Sequence, residues 1–207
     1  MAERDPLVVV VEDDTSVREA LLRLLDAGGF ATTGHATAED FLAAGADPRT
    51  GCFILDIRMP GMGGLALFQR LRKSHAACPV VFLTGHGDIP MAVKAVQEGA
   101  FEFLTKPVDE TVLLDAVQQA LLEHARRSER QHEAEQARAR IAGLTPRELE
   151  VLRHVITGAL NKQIADVLGI AEPTVKIHRA SIRAKLDVHS VVEQLDIARL
   201  AGVEPAE

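Results

Sequence analysis

Cysteine is scarce: the chain has two, Cys52 and Cys78, with no metal-ligand spacing and too few for a disulfide framework. They read as free buried thiols of a reducing cytoplasm. Long apolar runs are missing as well. None approaches the ~18 residues that a transmembrane helix needs, and Met1-Ala2-Glu3-Arg4-Asp5-Pro6 starts no signal-peptide pattern. The expected location is the cytoplasm, with no membrane partner. Excess positive charge is lacking too. A formal net charge of −7 excludes a wholly basic nucleic-acid coat but leaves local basic patches open. No GxGxxG follows the first strand, so Gly61-Met62-Gly63-Gly64 reads as a turn and not as a nucleotide cradle. What is there is a globular composition over 207 residues, room for one large or two modest domains.

The first part of the chain alternates apolar runs with amphipathic stretches. Leu7-Val8-Val9-Val10-Val11 is continuous and β-branched, as a central parallel strand is, and ends in Glu12-Asp13-Asp14. Ser16-Val17-Arg18-Glu19 fits a capping box, with Val17, Leu21, Leu24 and Leu25 as the apolar stripe of the helix that follows. A weaker unit spans Phe30 to His35 and Ala38 to Ala44. Phe53-Ile54-Leu55-Asp56 then reads as a strand, with Leu65 to Lys73 as its helix; Val80 to Thr84 is the next, with a helix from Pro90 to Gly99. Phe101 to Thr105 is the last strand, and Asp109 caps a helix whose face is Val112, Leu113, Ala116, Val117 and Ala120. This pattern predicts an α/β fold, a doubly wound five-stranded parallel sheet over residues 1–122.

Residues 123–142 lack Gly and Pro and are rich in Glu, Arg, Gln and Ala, with helical pairs such as Glu123 with Arg127 and Glu135 with Arg138. They read as a helical linker. Ser128 and Gln131 interrupt the heptad that a coiled coil would require. A second, all-α domain is expected over residues 143–207. Thr145-Pro146-Arg147-Glu148 opens its first helix with a capping box, and Leu149, Leu152 and Ile156 form the inner face. Asn161 is placed as the cap of a helix closed by Gly169. A third helix runs from Glu172 to Leu186, burying Val175, Ile182 and Leu186, and Ser190 starts a last helix through Leu195, Ile197 and Leu200.

A charge inside a buried strand is costly, so Asp56 belongs at an exposed carboxyl end. Parallel strands point one way; Glu12, Asp13, Asp56, Thr84 and Lys106 are therefore expected to converge on one edge, where open α/β sheets bind ligands. Carboxylates crowded together call for a cation, and carboxylates plus water suit Mg²⁺. Lys106 and Thr84 add a positive charge and a hydroxyl, which suit phosphoryl oxygens. Singly, each residue is as well explained as a turn former or a solvated charge; together, at consecutive strand ends, they are a specific signal.

With Val10-Val11-Glu12-Asp13-Asp14, Leu55-Asp56-Ile57-Arg58-Met59-Pro60-Gly61, Thr84-Gly85-His86-Gly87 and Lys106-Pro107 in view, the chain resembles a two-component response regulator. The resemblance implies a flavodoxin-like receiver in which Asp56 accepts a phosphoryl group from a phosphohistidine of a cognate sensor histidine kinase. It implies Asp13 and Asp56 as Mg²⁺ ligands with Glu12 nearby and the Arg58 carbonyl as a further ligand. Lys106 would pair with the phosphoryl oxygens, Thr84 would hydrogen-bond them, and Phe103 occupies the aromatic switch position. It also implies a cis bond before Pro107 and a second subunit recruited on phosphorylation. Arg58 and His86, flanking the site, are expected to tune dephosphorylation.

The helices from Asn161 to Leu186 have helix-turn-helix proportions. The third presents Lys176, Ile177, Ala180 and Arg183, beside Arg179, as a face suited to the major groove of double-stranded DNA. Leu144-Thr145-Pro146-Arg147-Glu148-Leu149-Glu150-Val151-Leu152, Asn161-Lys162-Gln163-Ile164-Ala165 and Thr174-Val175-Lys176-Ile177-His178-Arg179 resemble the LuxR-type output domain, in its FixJ-like branch with a long linker. Ala171 departs from the Ser usual in that family before the recognition helix, leaving it without a side-chain cap. The expected function is phosphorylation-controlled, sequence-specific DNA binding and transcription control, with RNA polymerase as a further candidate partner. Two other classes compete. A Mg²⁺-dependent phosphohydrolase with Asp56 as nucleophile would want an acid where Arg58 stands, and a helical domain for protein or RNA would not discriminate DNA half-sites.

Overall fold

The computed structural model describes residues 5–74, 78–85 and 95–206 of the chain. They form two compact units, divided between Ser128 and Glu129. The first contains β1 (Leu7–Val11), α1 (Thr15–Ala27), β2 (Ala31–His35), α2 (Ala38–Ala44), β3 (Thr50–Asp56), α3 (Gly64–Ser74), β4 (Val80–Thr84) and β5 (Glu102–Thr105). A long helix, α4 (Glu110–Ala142), follows. The strands form one parallel sheet in the order β2-β1-β3-β4-β5. Most of the helix expected from Pro90 to Gly99 lies outside the described residues.

β1, β3 and β4 are buried along their whole length because each faces a core on both sides of the sheet. Alternate residues go to opposite cores. Val9, Val11, Phe53, Leu55 and Phe82 pack with Phe41, Leu67, Phe68 and Leu71. Val8, Val10, Ile54, Val81 and Leu83 pack with Leu21 and Leu25 of α1 and with Leu113, Val117 and Ala120 of α4. Full burial of each such side chain is worth roughly 1.5–3 kcal/mol, which fixes the strand ends rigidly enough to present polar groups beyond them. The cap of α1 lies two residues before the expected Ser16: the Asp14 carboxylate accepts from the amides of Ser16 and Val17 at 2.8 and 3.0 Å. Both residue types cap well, and Asp14 is the one that leaves the strand with extended backbone. Asp109 caps α4 as expected, accepting from Thr111 and Val112 amides at 2.9 and 3.2 Å.

The second unit holds the last turns of α4 together with α5 (Pro146–Val155), α6 (Asn161–Leu168), α7 (Glu172–Leu186) and α8 (Val191–Ala201). Its core is Val151, Leu152, Val155, Ile164, Val175, Ile182 and Leu186, joined by Ala137 of α4. Ser190 caps α8 as expected, accepting from the Glu193 amide at 3.1 Å, and the helix buries Gln194, Ile197 and Ala198 while Leu195 and Leu200 are exposed. Asn161 is not the cap of α6. Leu160 takes that position, its amide donating to the Gln163 side chain at 2.8 Å, and the Asn161 oxygen is engaged elsewhere. No helix among the described residues is long and apolar enough to cross a membrane.

Candidate functional site

Glu12 follows β1, Asp56 ends β3, Thr84 ends β4 and Lys106 follows β5, so parallel pairing brings all four to one edge. Lys106 ties them together. Its ammonium donates to Glu12 Oε2 at 2.6 Å and to Asp56 Oδ2 at 2.9 Å. The other Asp56 oxygen accepts from the Arg58 amide at 3.2 Å. Glu12, Asp56 and Thr84 are buried at 1, 7 and 2% exposure, so the two carboxylates interact with little screening by water. Burial pushes the Glu12 carboxyl above the usual carboxylate range; the Lys106 hydrogen bond opposes this and the Asp56 charge reinforces it. Burial by itself would lower Lys106, but its bonds to Glu12 and Asp56 win and hold the ammonium firmly protonated.

Glu12, Asp13 and Asp56 offer oxygen atoms that all lie within 4.8 Å of one another. Two of the three carboxylates share the Lys106 ammonium, which leaves an excess of carboxylate charge around a small all-oxygen donor set. That chemistry fits Mg²⁺, which is satisfied by few protein oxygens plus water. The turn after β3 is tight around this point. A Cβ on Gly64 would stand 2.1 Å from the Asp56 carbonyl oxygen, so only glycine allows α3 to start there. Thr84 pairs with Thr105 one rung beyond the Asp56–Leu83 pair, and its hydroxyl donates to the Gly85 carbonyl at 3.1 Å. Phe103 sits on β5 opposite Phe82, half-buried against the core. The bond between Lys106 and Pro107 is cis. His86 lies outside the described residues.

In the second unit, Lys176, Ile177, Ala180 and Arg183 are exposed on α7, Ile177 at 67%. Lys176 pairs with Glu172 at 3.0 Å, a solvated contact. Arg179 is half-buried and turned toward α6, donating to the Asn161 side-chain oxygen at 2.9 Å. The helix starts at Ala171 without a side-chain cap.

Three residues make contacts in the structure that sequence reasoning missed. Arg18 donates to the carbonyls of the loop bearing Glu12 and Asp13. Asn161 receives Arg179 from 18 residues away. Glu148 is visible as half of a capping box, yet it also accepts from Ser181 Oγ at 2.6 Å and Lys185 Nζ at 2.7 Å of α7. The Lys185 and Ser181 bonds, with that of the Thr145 amide, hold its carboxyl down at about 2. Only the fold brings these partners together.

Comparison with known proteins agrees with this geometry. Residues 8–118 match the response regulator receiver domain, and residues 142–198 match the luxR family of bacterial regulatory proteins. The chain is 42% identical over 200 residues to the transcriptional regulatory protein FixJ of Azorhizobium caulinodans, covering 97% of this chain and 95% of that one. It is 39% identical to FixJ of Rhizobium meliloti over 203 residues, covering 98% and 99%. Among solved structures, the response regulator StyR is similar with a TM-score of 0.81 and 44% identity, covering 95% and 99% of the two chains. Full-length FixJ from B. japonicum is similar with a TM-score of 0.58 and 35% identity, covering 95% and 97%. The chain belongs to the response regulators of two-component systems, a FixJ-like transcriptional regulator with a receiver domain and a LuxR-type DNA-binding domain.

Proposed function

We propose that Asp56 is the phosphoacceptor through which a sensor histidine kinase controls DNA binding by this regulator. The observation that carries the reading is the buried Asp56 at the end of β3, joined through Lys106 to Glu12. An Asp56 carboxylate oxygen attacks the phosphorus of a phosphohistidine; an O–P bond forms, the P–N bond breaks and the imidazole leaves. Lys106 neutralises charge on the transferred group, and the Thr84 hydroxyl donates to one of its oxygens. Glu12, Asp13, Asp56 and the Arg58 carbonyl would hold Mg²⁺, which supplies charge neutralisation for phosphoryl transfer when bound. The same residues would support self-phosphorylation from small donors and autodephosphorylation, with Arg58 and His86 setting the lifetime.

The new charge, about −1.5 to −2, draws Thr84 inward and frees space for Phe103 to turn, so phosphorylation shifts the population of a two-state receiver. Apolar side chains left exposed on the first unit, Val96 and Val112 among them, support pairing with a second copy. The output domain, residues 143–207 after a receiver of 1–122 and a linker of 123–142, then binds promoter DNA in the cytoplasm, where it can meet RNA polymerase. Lys176, Ile177, Ala180 and Arg183 face the groove, with Arg179 at its edge. The test is intact-mass measurement after incubation with Mg²⁺ and acetyl phosphate. One added phosphoryl group, absent without Mg²⁺ and in Asp56→Asn, is the expected result; an adduct that persists in Asp56→Asn rejects the assignment.

A further inference from the structure

The three carboxylates of the acidic site are not held alike. Glu12 and Asp56 each accept from the Lys106 ammonium. The Asp13 side chain has no hydrogen bond or ion pair among the described residues, although its oxygen lies within 4.8 Å of the other two. The backbone between β1 and α1 is therefore what limits the directions open to it.

That backbone is anchored at both ends and in the middle. The Glu12 amide donates to the His35 carbonyl of β2 at 3.1 Å. Asp14 is fixed as the cap of α1. Between them, Arg18 Nη1 donates to the Glu12 carbonyl at 2.7 Å and to the Asp13 carbonyl at 3.3 Å, while Nη2 donates to Thr15 Oγ1 at 3.2 Å. Those two carbonyls belong to the two peptide planes flanking the Asp13 Cα. Holding both planes fixes the direction of the Asp13 Cα–Cβ bond. The Arg18 stem is itself seated against β2: a Cβ on Gly34 would lie 3.4 Å from Arg18 Cγ and Cδ.

We propose that Arg18 is a positioning residue of the acidic site: by clamping both peptide groups of Asp13 it aims that carboxylate at the point shared with Glu12 and Asp56, and so raises the affinity for a divalent cation. The proposal rests on the reading of that cluster as a Mg²⁺ site. The charge of Arg18 works in the opposite direction. A guanidinium bonded to the carbonyls of Glu12 and Asp13 brings positive charge close to the site and repels a cation, so on Coulombic grounds its removal tightens binding. Positioning and charge thus give effects of opposite sign, and the sign decides between them.

The experiment is calorimetric titration of the full chain with Mg²⁺ at fixed ionic strength, for the wild type, Arg18→Met and Arg18→Lys. Methionine keeps an unbranched stem against Gly34 but has no N–H to donate; lysine keeps the charge and can reach one carbonyl at a time. Loss of a residue that orients a ligand weakens metal binding by about 10-fold or more. That is expected for Arg18→Met, with Arg18→Lys between it and the wild type. With acetyl phosphate, the Mg²⁺ concentration for half-maximal phosphorylation rises by the same factor, and excess Mg²⁺ rescues the rate. Arg18→Met binding Mg²⁺ as tightly as the wild type, or more tightly, overturns the proposal while leaving the site reading intact. A folded wild type that binds no Mg²⁺ overturns both. Should Arg18→Met fail to fold, as judged by circular dichroism, Arg18→Lys carries the test, and an unchanged affinity there overturns the proposal.

Discussion

Replacing Glu148 by Gln removes the charge that joins the start of α5 to α7. Its carboxylate is 5% exposed and accepts from the Thr145 amide at 2.7 Å, the Thr145 hydroxyl at 2.9 Å, Ser181 at 2.6 Å and Lys185 at 2.7 Å. A carboxyl held from an ordinary 4.5 down to about 2 links on the order of 3 kcal/mol of folding stability to its ionised form. The Lys185 side chain is 38% exposed and water can take over part of its role, so the expected loss in Glu148→Gln near neutral pH is about 2 kcal/mol. The folded carboxyl ionises more readily than the unfolded one. Its stabilisation is therefore complete above about pH 4.5 and is lost as pH falls toward 2. Urea unfolding of the full chain, followed by far-ultraviolet circular dichroism at several pH values, measures the gap between wild type and variant. The gap narrows on acidification, because the wild-type carboxyl then protonates and comes to resemble the amide. A gap under about 0.5 kcal/mol at neutral pH, or one that stays constant into acid, refutes the reasoning.

Ala171→Ser supplies the missing cap on an extended residue and is expected to stabilise the second unit by about 0.5–1 kcal/mol; an unchanged urea midpoint shows that the helix needs no cap there. Gly64→Ala places a methyl group 2.1 Å from the Asp56 carbonyl oxygen. It is expected to cost about 1–3 kcal/mol and to slow phosphorylation by acetyl phosphate, checked by thermal unfolding and intact mass; wild-type stability contradicts the tight turn.

Much of the first unit was legible because its strands are apolar runs that end abruptly in polar residues. The observed limits of β1 and β4, Leu7–Val11 and Val80–Thr84, coincide with those read from the sequence. The convergence of Glu12, Asp56 and Lys106 followed from parallel topology alone. Errors arose where two local solutions have similar energy. Asp14 and Ser16 both make good caps, and Leu160 with Gln163 displaced Asn161 from the cap position. In α8 the buried residues include a glutamine, Gln194 beside Ile197 and Ala198, which hydrophobicity alone does not single out. Ala137 and Ile141 show the limit of reading by composition. A stretch with little large apolar surface still contributes two side chains to the second core. The bonds of Arg18 to carbonyls and of Glu148 to Lys185 depend on backbone direction and on contacts 37 residues apart, which local pattern does not carry.

A DNA titration measures whether a phosphoryl group on Asp56 controls DNA binding, as we propose. The full chain, untreated or treated with Mg²⁺ and acetyl phosphate, is titrated against a duplex selected from a random pool, at one fixed salt concentration, alongside Asp56→Asn treated in the same way. Phosphorylation is expected to tighten binding by about tenfold, within the usual range of coupling between two sites, and Asp56→Asn is expected to show no gain. Equal affinity of phosphorylated and unphosphorylated protein, with the phosphoryl group verified by mass, would show that Asp56 does not control DNA binding.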